Sequence, residues 1–252
     1  MSSLIICKNK ISNLFKKPTK NSELTSQLLF GEKFIIQKKI KDYYKGYSAH
    51  DNYSGYVKVN DFEKAKKKKL YRVNKRNVFL YTSPNNKNKT TKNLLLNSKV
   101  SIFCIEKSFV RIGNCWIKKK SISELNNSSN KYLKNISFFL NTKYLWGGNS
   151  TKGIDCPGLV QALMKTINKK WPRDSKDQLI FFKRKVLLSR IKKGDLIFWK
   201  GHVAIVLDKK KLVHAYGPKK KVIIMPISKT INLLQSKGLN IVSIKRPVWI
   251  SC

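Results

Sequence analysis

Over roughly its first half the chain alternates apolar and polar residues in short runs; helical spacing enters only later. Residues 1 to 64 hold three such runs, LLFGEKFIIQKKI, YKGYSAH and DNYSGYVKV, parted by Gly, Asp and Asn, a pattern that predicts a small all-β barrel. AKKKK at 65 to 69 reads as a solvated linker or loop. A second set follows: YRVNKRNVFLY, a turn at SPNNKNK, then KVSIFCIEKSFVRIG and NCWIKKKSI. Its order of strand, polar turn, strand pair and aromatic-bearing strand repeats that of the first, so a second small β unit is expected over 70 to 125. Cys104 and Cys115 alternate there with apolar residues and are expected in its core.

From residue 126 the period changes. NNSSN at 126 to 130 is turn chemistry and a helix cap, and Tyr132, Leu133, Ile136, Phe139 and Leu140 mark one helical face behind it. Leu159, Val160, Leu163, Met164 and Ile167 predict a helix that begins at Cys156 and ends near Asn168. In WPRDSKDQ, Asp174 or Ser175 caps another helix through Phe182, and strands are expected from there to about Val248. Helices first and antiparallel strands after is an α+β layout, here over 126 to 252.

With 252 residues and 41% hydrophobic content the chain can bury the cores of two or three small domains. Its formal charge of +41, from 54 basic and 13 acidic residues, raises the question of a nucleic-acid partner. Lys and Asn are spread through every segment and no nucleic-acid motif is present, so the charge reads as compositional drift on solvated faces. Nonspecific adhesion to polyanions at low salt is expected, and no specific nucleic acid. The apolar run in MSSLIICKNK is too short for a signal-peptide core, and no stretch approaches a membrane span. Five irregularly spaced cysteines make neither a disulfide framework nor paired metal ligands, so a reducing cytoplasm without metal or cofactor is the expected setting.

One cysteine stands apart. YLWGGNSTKGIDCPGLVQ places Cys156 at a helix start, where unpaired N–H groups and the helix dipole favour a thiolate, the nucleophilic form. Pro157 suits the first helical position, since its missing N–H would lack a partner anyway. A buried cysteine in a core helix is the bland alternative. A thiol nucleophile needs a base, and of three histidines His50 lies in the N-terminal segment while His202 and His214 fall on consecutive strand-like runs. Cysteine first and histidine later is the papain-like order. With Asp208-Lys209-Lys210 as a three-residue loop, Ala204 pairs with His214 and His202 is its diagonal neighbour on one face, about 7–8 Å away at the backbone. A two-residue loop at Lys209-Lys210 puts the rings on opposite faces.

YLWGGNSTKGIDCPGLVQ, WPRDSKDQ, KKGDLIFWKGHVAIVLD and LVHAYG, in this order, resemble the NlpC family of papain-like bacterial cell-wall cysteine peptidases. QLLFGEKF with DNYSGYV resembles the bacterial SH3-like domain that precedes the catalytic domain in cytoplasmic members. The resemblance implies a papain-like domain, helices on an antiparallel sheet, behind two SH3-like barrels. It implies Cys156 as nucleophile, His202 as general base and acid, and His214 as the residue that orients His202. Tyr144 matches a tyrosine that contacts substrate or oxyanion; Asp155 is a helix cap or a receiver of a peptide's free amine; Asp51 and Tyr53 fall where the first SH3-like domain closes over substrate. The implied reaction is cleavage of γ-D-glutamyl bonds to a diamino acid in short peptidoglycan peptides. An acyltransferase or amidase on the same scaffold, or an impaired wall-fragment binding protein, are the alternatives. Pro157 departs from the family, which has serine there.

Overall fold

The computed structural model describes residues 3–65, 68–125 and 132–247. The predicted cap at 126 to 130 lies outside them.

Alternation in the N-terminal segment becomes seven strands: β1 (Ser3–Cys7), β2 (Ile11–Phe15), β3 (Leu24–Leu29), β4 (Lys33–Ile40), β5 (Tyr43–Ser48), β6 (Ser54–Lys58) and β7 (Phe62–Lys64). The apolar run of the N-terminus is β1, which buries Ile5 and Cys7 and pairs with β4 on one side and β7 on the other. Strand order is β3-β2-β6-β5-β4-β1-β7. No described pairing joins β3 to β7, so the closed barrel expected from the sequence is not found. The β3 edge is occupied instead by the C-terminal part of the chain, where Gln27 Oε1 accepts from the Asn149 N–H at 3.1 Å. A covered edge has no need to close on itself.

The second set forms β8 (Tyr71–Val73), β9 (Asn77–Tyr81), β10 (Lys89–Leu95), β11 (Lys99–Val100), β12 (Cys104–Glu106), β13 (Phe109–Ile112), β14 (Cys115–Lys118) and β15 (Ile122–Glu124). They make a five-stranded sheet, β10-β9-β14-β13-β12, and a three-stranded one, β11-β8-β15. One turn recurs in both sets. Gly31 and Asn97 sit at φ 74° and 72°. Glu32 N–H donates to Leu29 O as Ser98 N–H does to Leu95 O, and the N–H groups of Leu29 and Leu95 are held by Glu32 Oε2 and Ser98 Oγ. Both turns then bond an early strand, at Cys7 and at Val73. Cys104 departs from expectation: it is exposed on the edge strand β12, and Cys115 is half-buried. Alternation places a residue on a face without saying which face is covered.

The C-terminal part opens with a 3-10 helix, Tyr132–Phe138, where an α-helix was predicted. A two-stranded ribbon, β16 (Asn149–Ser150) and β17 (Gly153–Ile154), leads into α1 (Cys156–Lys165) and then α2 (Ser175–Phe181). Five strands follow, β18 (Leu196–Trp199), β19 (His202–Val206), β20 (Lys211–Tyr216), β21 (Lys221–Pro226) and β22 (Ile241–Lys245), in the order β21-β20-β19-β18-β22. Between the last two lies α3 (Ile227–Gln235), which the sequence reading gave to strand. Ile227, Ile231 and Leu234 repeat at helical spacing along it and pack on the sheet. The sheet is buried on both faces. Leu196, Phe198, Val203, Ile205, Val213 and Ala215 face α1; Ile197, Ala204, Val206 and Leu212 face α3. Every residue of α1 is buried, which makes it the axis on which the site is mounted.

Candidate active site

Three local features set Cys156 in place. Gly147 takes φ 73° and Gly148 passes so close to Gly153 O that a Cβ would stand 2.5 Å from it. Asp155 caps α1, its Oδ1 accepting from Gly158 N–H at 2.8 Å, while Oδ2 accepts from Gly147 N–H at 2.8 Å and from Arg173 Nη2 at 2.7 Å. Pro157 fills the first turn without breaking a bond, and its carbonyl accepts from Gln178 Nε2. Asp155, expected as cap or amine receiver, is thus spent on the cap, the glycine loop and a buried ion pair.

The thiol differs from expectation. Burial pushes the Cys156 thiol up to about 12, and the Asp155 charge pushes the same way; the N–H groups of Val203 and Cys156 and the Arg173 charge oppose them without prevailing. Desolvation of the largely buried sulfur outweighs the helix terminus, whose effect is of the order of 1 kcal/mol. Burial thus favours the neutral form of the thiol and of the neighbouring His202 imidazole alike. Cys156 Sγ lies 4.0 Å from Gly201 O, at the left-handed turn (φ 70°) that starts β19.

His202 is the first residue of β19, between the two backbone groups that approach the sulfur. Leu207 N–H donates to Lys211 O and Ile205 pairs with Val213, so the connection is the three-residue loop and both histidines share a face. Their rings meet, His202 Nε2 to His214 Nδ1, at 2.9 Å. Burial lowers His202 to about 4 and His214 to about 3, so both are neutral at pH 7. Tyr216 stacks on His214 with centroids 4.7 Å apart and planes 8° apart.

Cys156 opens into a cavity of about 640 Å³ whose other wall is the first sheet, through Lys16, Glu23, Lys45, Tyr53 and Tyr56. Tyr144 lines it, with its ring over Gly217 and its hydroxyl pushed up to about 12 by burial and by Cys156. Tyr53 lines it too and donates from its hydroxyl to Asp174 Oδ2 at 3.0 Å. Asp51 does not reach the lining: its carboxylate accepts from Gln161 Nε2 at 2.6 Å and from Tyr53 N–H, bracing both. His50 stays away from the thiol, half-buried near Glu32.

Asp174 is the residue that sequence reasoning undervalued. It occupies the cap position of α2 but makes no capping bond, and its carboxylate stands in the cavity with Tyr53 instead. Burial raises it above the ordinary carboxylate range, against the Tyr53 hydrogen bond and the Arg173 charge. The other acids of the wall are neutralised, Asp155 by Arg173 and Glu23 by Lys16 and the Trp146 indole N–H. Nothing in WPRDSKDQ separates a capping aspartate from one aimed at a ligand. Among the described residues no cluster of three or more His, Cys, Asp or Glu converges as metal ligands would.

A helix-borne cysteine set against a strand-borne histidine pair, beside a cleft, defines the papain-like class of thiol hydrolases. Residues 141–240 match the NlpC/P60 family and residues 14–62 the bacterial dipeptidyl-peptidase SH3 domain. The chain therefore carries an NlpC/P60 cysteine-peptidase domain behind a bacterial dipeptidyl-peptidase SH3 domain. It is 26% identical over 233 residues to a gamma-D-glutamyl-L-lysine dipeptidyl-peptidase of Bacillus subtilis, covering 82% of this chain and 77% of that one. Dipeptidyl-peptidase 6 of Lysinibacillus sphaericus is 25% identical over 242 residues, covering 85% and 88%. The crystal structure of an NlpC/P60 family protein from Bacillus cereus superposes with a TM-score of 0.81 at 19% identity, over 97% of this chain and 99% of that one.

Proposed function

We propose that the protein is a cysteine peptidase that hydrolyses the γ-D-glutamyl bond to a diamino acid in short peptides derived from peptidoglycan. The observation that carries this reading is the cavity with the Cys156 thiol at one point of its wall and the Asp174–Tyr53 pair at another. His202 takes the thiol proton as sulfur attacks the peptide carbonyl carbon, and then gives it to the departing amine, leaving a thioester on Cys156. Water, deprotonated by the same imidazole, attacks the thioester and releases the acyl peptide and the thiol. The Cys156 N–H, on the helix start, and the Tyr144 hydroxyl are the donors assigned to the oxyanion. His214 orients His202.

Asp174 and Tyr53 hold the free amine of the incoming peptide. A charge-assisted bond from ammonium to a carboxylate in a partly desolvated site is among the stronger polar contacts. The wall built from β3, β5 and β6 ends the cavity behind that amine, which suits removal of a dipeptide unit, as the names of the Bacillus subtilis and Lysinibacillus sphaericus relatives state for them. Segment 70 to 125 is read as a second SH3-like unit on the strength of the shared turn at Gly31 and Asn97, giving units at 1 to 64, 70 to 125 and 126 to 252. The reduced cysteines fit a cytoplasmic setting. No described helix is long and apolar enough to cross a membrane.

The test is incubation with L-Ala-γ-D-Glu-L-Lys and mass spectrometry of the products. The expected products are L-Ala-γ-D-Glu and lysine, with none from the Cys156→Ala protein. An intact tripeptide after prolonged incubation overturns the reading.

A further inference from the structure

Among the described residues His214 has no side-chain carboxylate and no side-chain amide hydrogen-bonded to it. Among the described residues its two ring nitrogens meet only His202 Nε2, at 2.9 Å, and the thioether sulfur of Met225, 3.3 Å from Nε2. The ring is fully enclosed and Met225 is 8% exposed, which shields the contact from bulk solvent. Stacking on Tyr216 fixes the plane of the ring but treats both nitrogens alike. Only the sulfur tells them apart.

We infer that Met225 is a positioning residue, whose sulfur selects the histidine tautomers that leave His202 able to accept the thiol proton. A thioether sulfur has no hydrogen to give and accepts weakly. The contact is therefore attractive when His214 carries its proton on Nε2. Its Nδ1 is then a lone pair, and the 2.9 Å contact requires the proton on His202 Nε2. That leaves His202 Nδ1 as a lone pair with no partner among the described residues, flanked by the Gly201 and Val203 backbone that approaches Cys156 Sγ.

The other end of the relay makes the same demand. The Cys156 thiol, set against Gly201 O at rest, has to give up its proton during attack, and the His202 nitrogen beside that backbone must be able to accept it. The opposite arrangement, with His214 Nδ1–H donating to His202, places a second N–H before the S–H and a lone pair before the sulfur of Met225. Both ends are then mismatched. In the arrangement inferred here two contacts run one way, from His202 Nε2–H to His214 Nδ1 and from His214 Nε2–H to the sulfur of Met225, and His202 Nδ1 is left bare to receive the thiol proton. During attack the thiol proton moves to His202 Nδ1, the imidazolium gains its hold on His214 Nδ1, and no proton has to leave the chain of rings. Nothing in the sequence pattern marks Met225, which occupies a strand position of the β20–β21 hairpin, opposite Leu212.

The inference rests on the peptidase reading only for its kinetic consequence; the tautomers are read without turnover. Nitrogen-15 histidine spectra of the full chain near pH 7 are expected to show both His202 and His214 protonated on Nε2 and bare on Nδ1. Met225→Leu keeps the volume and removes the acceptor. It is expected to mix the His214 tautomers and lower kcat about three- to tenfold, the worth of one neutral hydrogen bond, with KM unchanged. Met225→Gln, whose amide oxygen accepts, is expected to restore both. A wild-type His214 protonated on Nδ1 overturns the inference, whether or not the variants fold. So does a Leu variant with unchanged spectrum and rate. Correct tautomers in a protein that cleaves no wall peptide overturn the peptidase reading and leave this one standing.

Discussion

The two β-rich segments ahead of the catalytic part carry the same turn and do different work. The first sends Lys16, Glu23, Lys45, Tyr53 and Tyr56 into the cavity that holds Cys156, and no residue between 71 and 124 lines it. The second meets the catalytic part from behind. Arg72 Nη1 donates to Lys165 O and Asn97 Nδ2 to Ala162 O, satisfying carbonyls at the C-terminal end of α1, and Arg76 Nη1 donates to Phe138 O. A repeated backbone fixes where loops emerge. Which loop touches substrate and which one steadies a helix depends on the side chains it carries.

The difference can be broken most severely at a buried ion pair that ties the first segment to α1. Lys165 Nζ stands 2.9 Å from Glu32 Oε1, both side chains under a tenth exposed. Lys165→Met leaves Glu32 without that partner and is expected to cost about 3–5 kcal/mol in urea unfolding. A loss below about 1 kcal/mol would mean that the docking does not depend on this ion pair.

Next in size is the second segment. Arg72→Met and Arg76→Met each remove hydrogen bonds to backbone carbonyls of the catalytic part and are expected to lower stability by about 1–3 kcal/mol while KM stays put. A raised KM at normal stability would give that segment a part in substrate binding. The first segment and its partner should behave in reverse. Asp174→Asn is expected to raise KM for a tripeptide with a free amine about ten- to hundredfold, with stability and the N-acetylated peptide little affected. Tyr53→Phe removes a neutral donor, for an expected loss of about three- to tenfold in the same assay.

The pH responses sharpen the contrast further. Asp174 must be ionised to hold an ammonium, and burial raises it, so kcat/KM is expected to fall on acidification before an ordinary carboxylate would titrate. In Asp174→Asn that limb should retreat toward His202, neutral above about 4. Stability moves with the histidines. His202 and His214 are lowered in the folded protein, so below their unfolded value of about 6.5 the unfolded chain binds more protons. Their contribution is whole above about 6.5 and is lost as pH falls toward 4 and 3. Urea midpoints at pH 7 and pH 5 measure it, and a double His→Gln variant should flatten the difference.

Local pattern was enough for a good part of this molecule. Helical spacing behind a glycine-rich loop located α1 and put Cys156 at its start, and the length of the Asp208–Lys210 loop brought His202 and His214 to one face, because strand side chains alternate strictly. The same kind of signal was present for α3, in Ile227, Ile231 and Leu234, and was passed over beside the strands on either side of it. Other features had no local trace. The state of the thiol follows from how much protein surrounds it, a sum over α1, β19 and the ribbon that no stretch of sequence contains. Asp174 leaves its capping role for Tyr53, which lies 121 residues earlier in the chain, and Asp155 is claimed by Arg173. Spacing along a chain determines which side chains share a face. Desolvation and the pairing of charges belong to distances across the fold, and those decided which of three wall aspartates and glutamates was left free to meet a substrate.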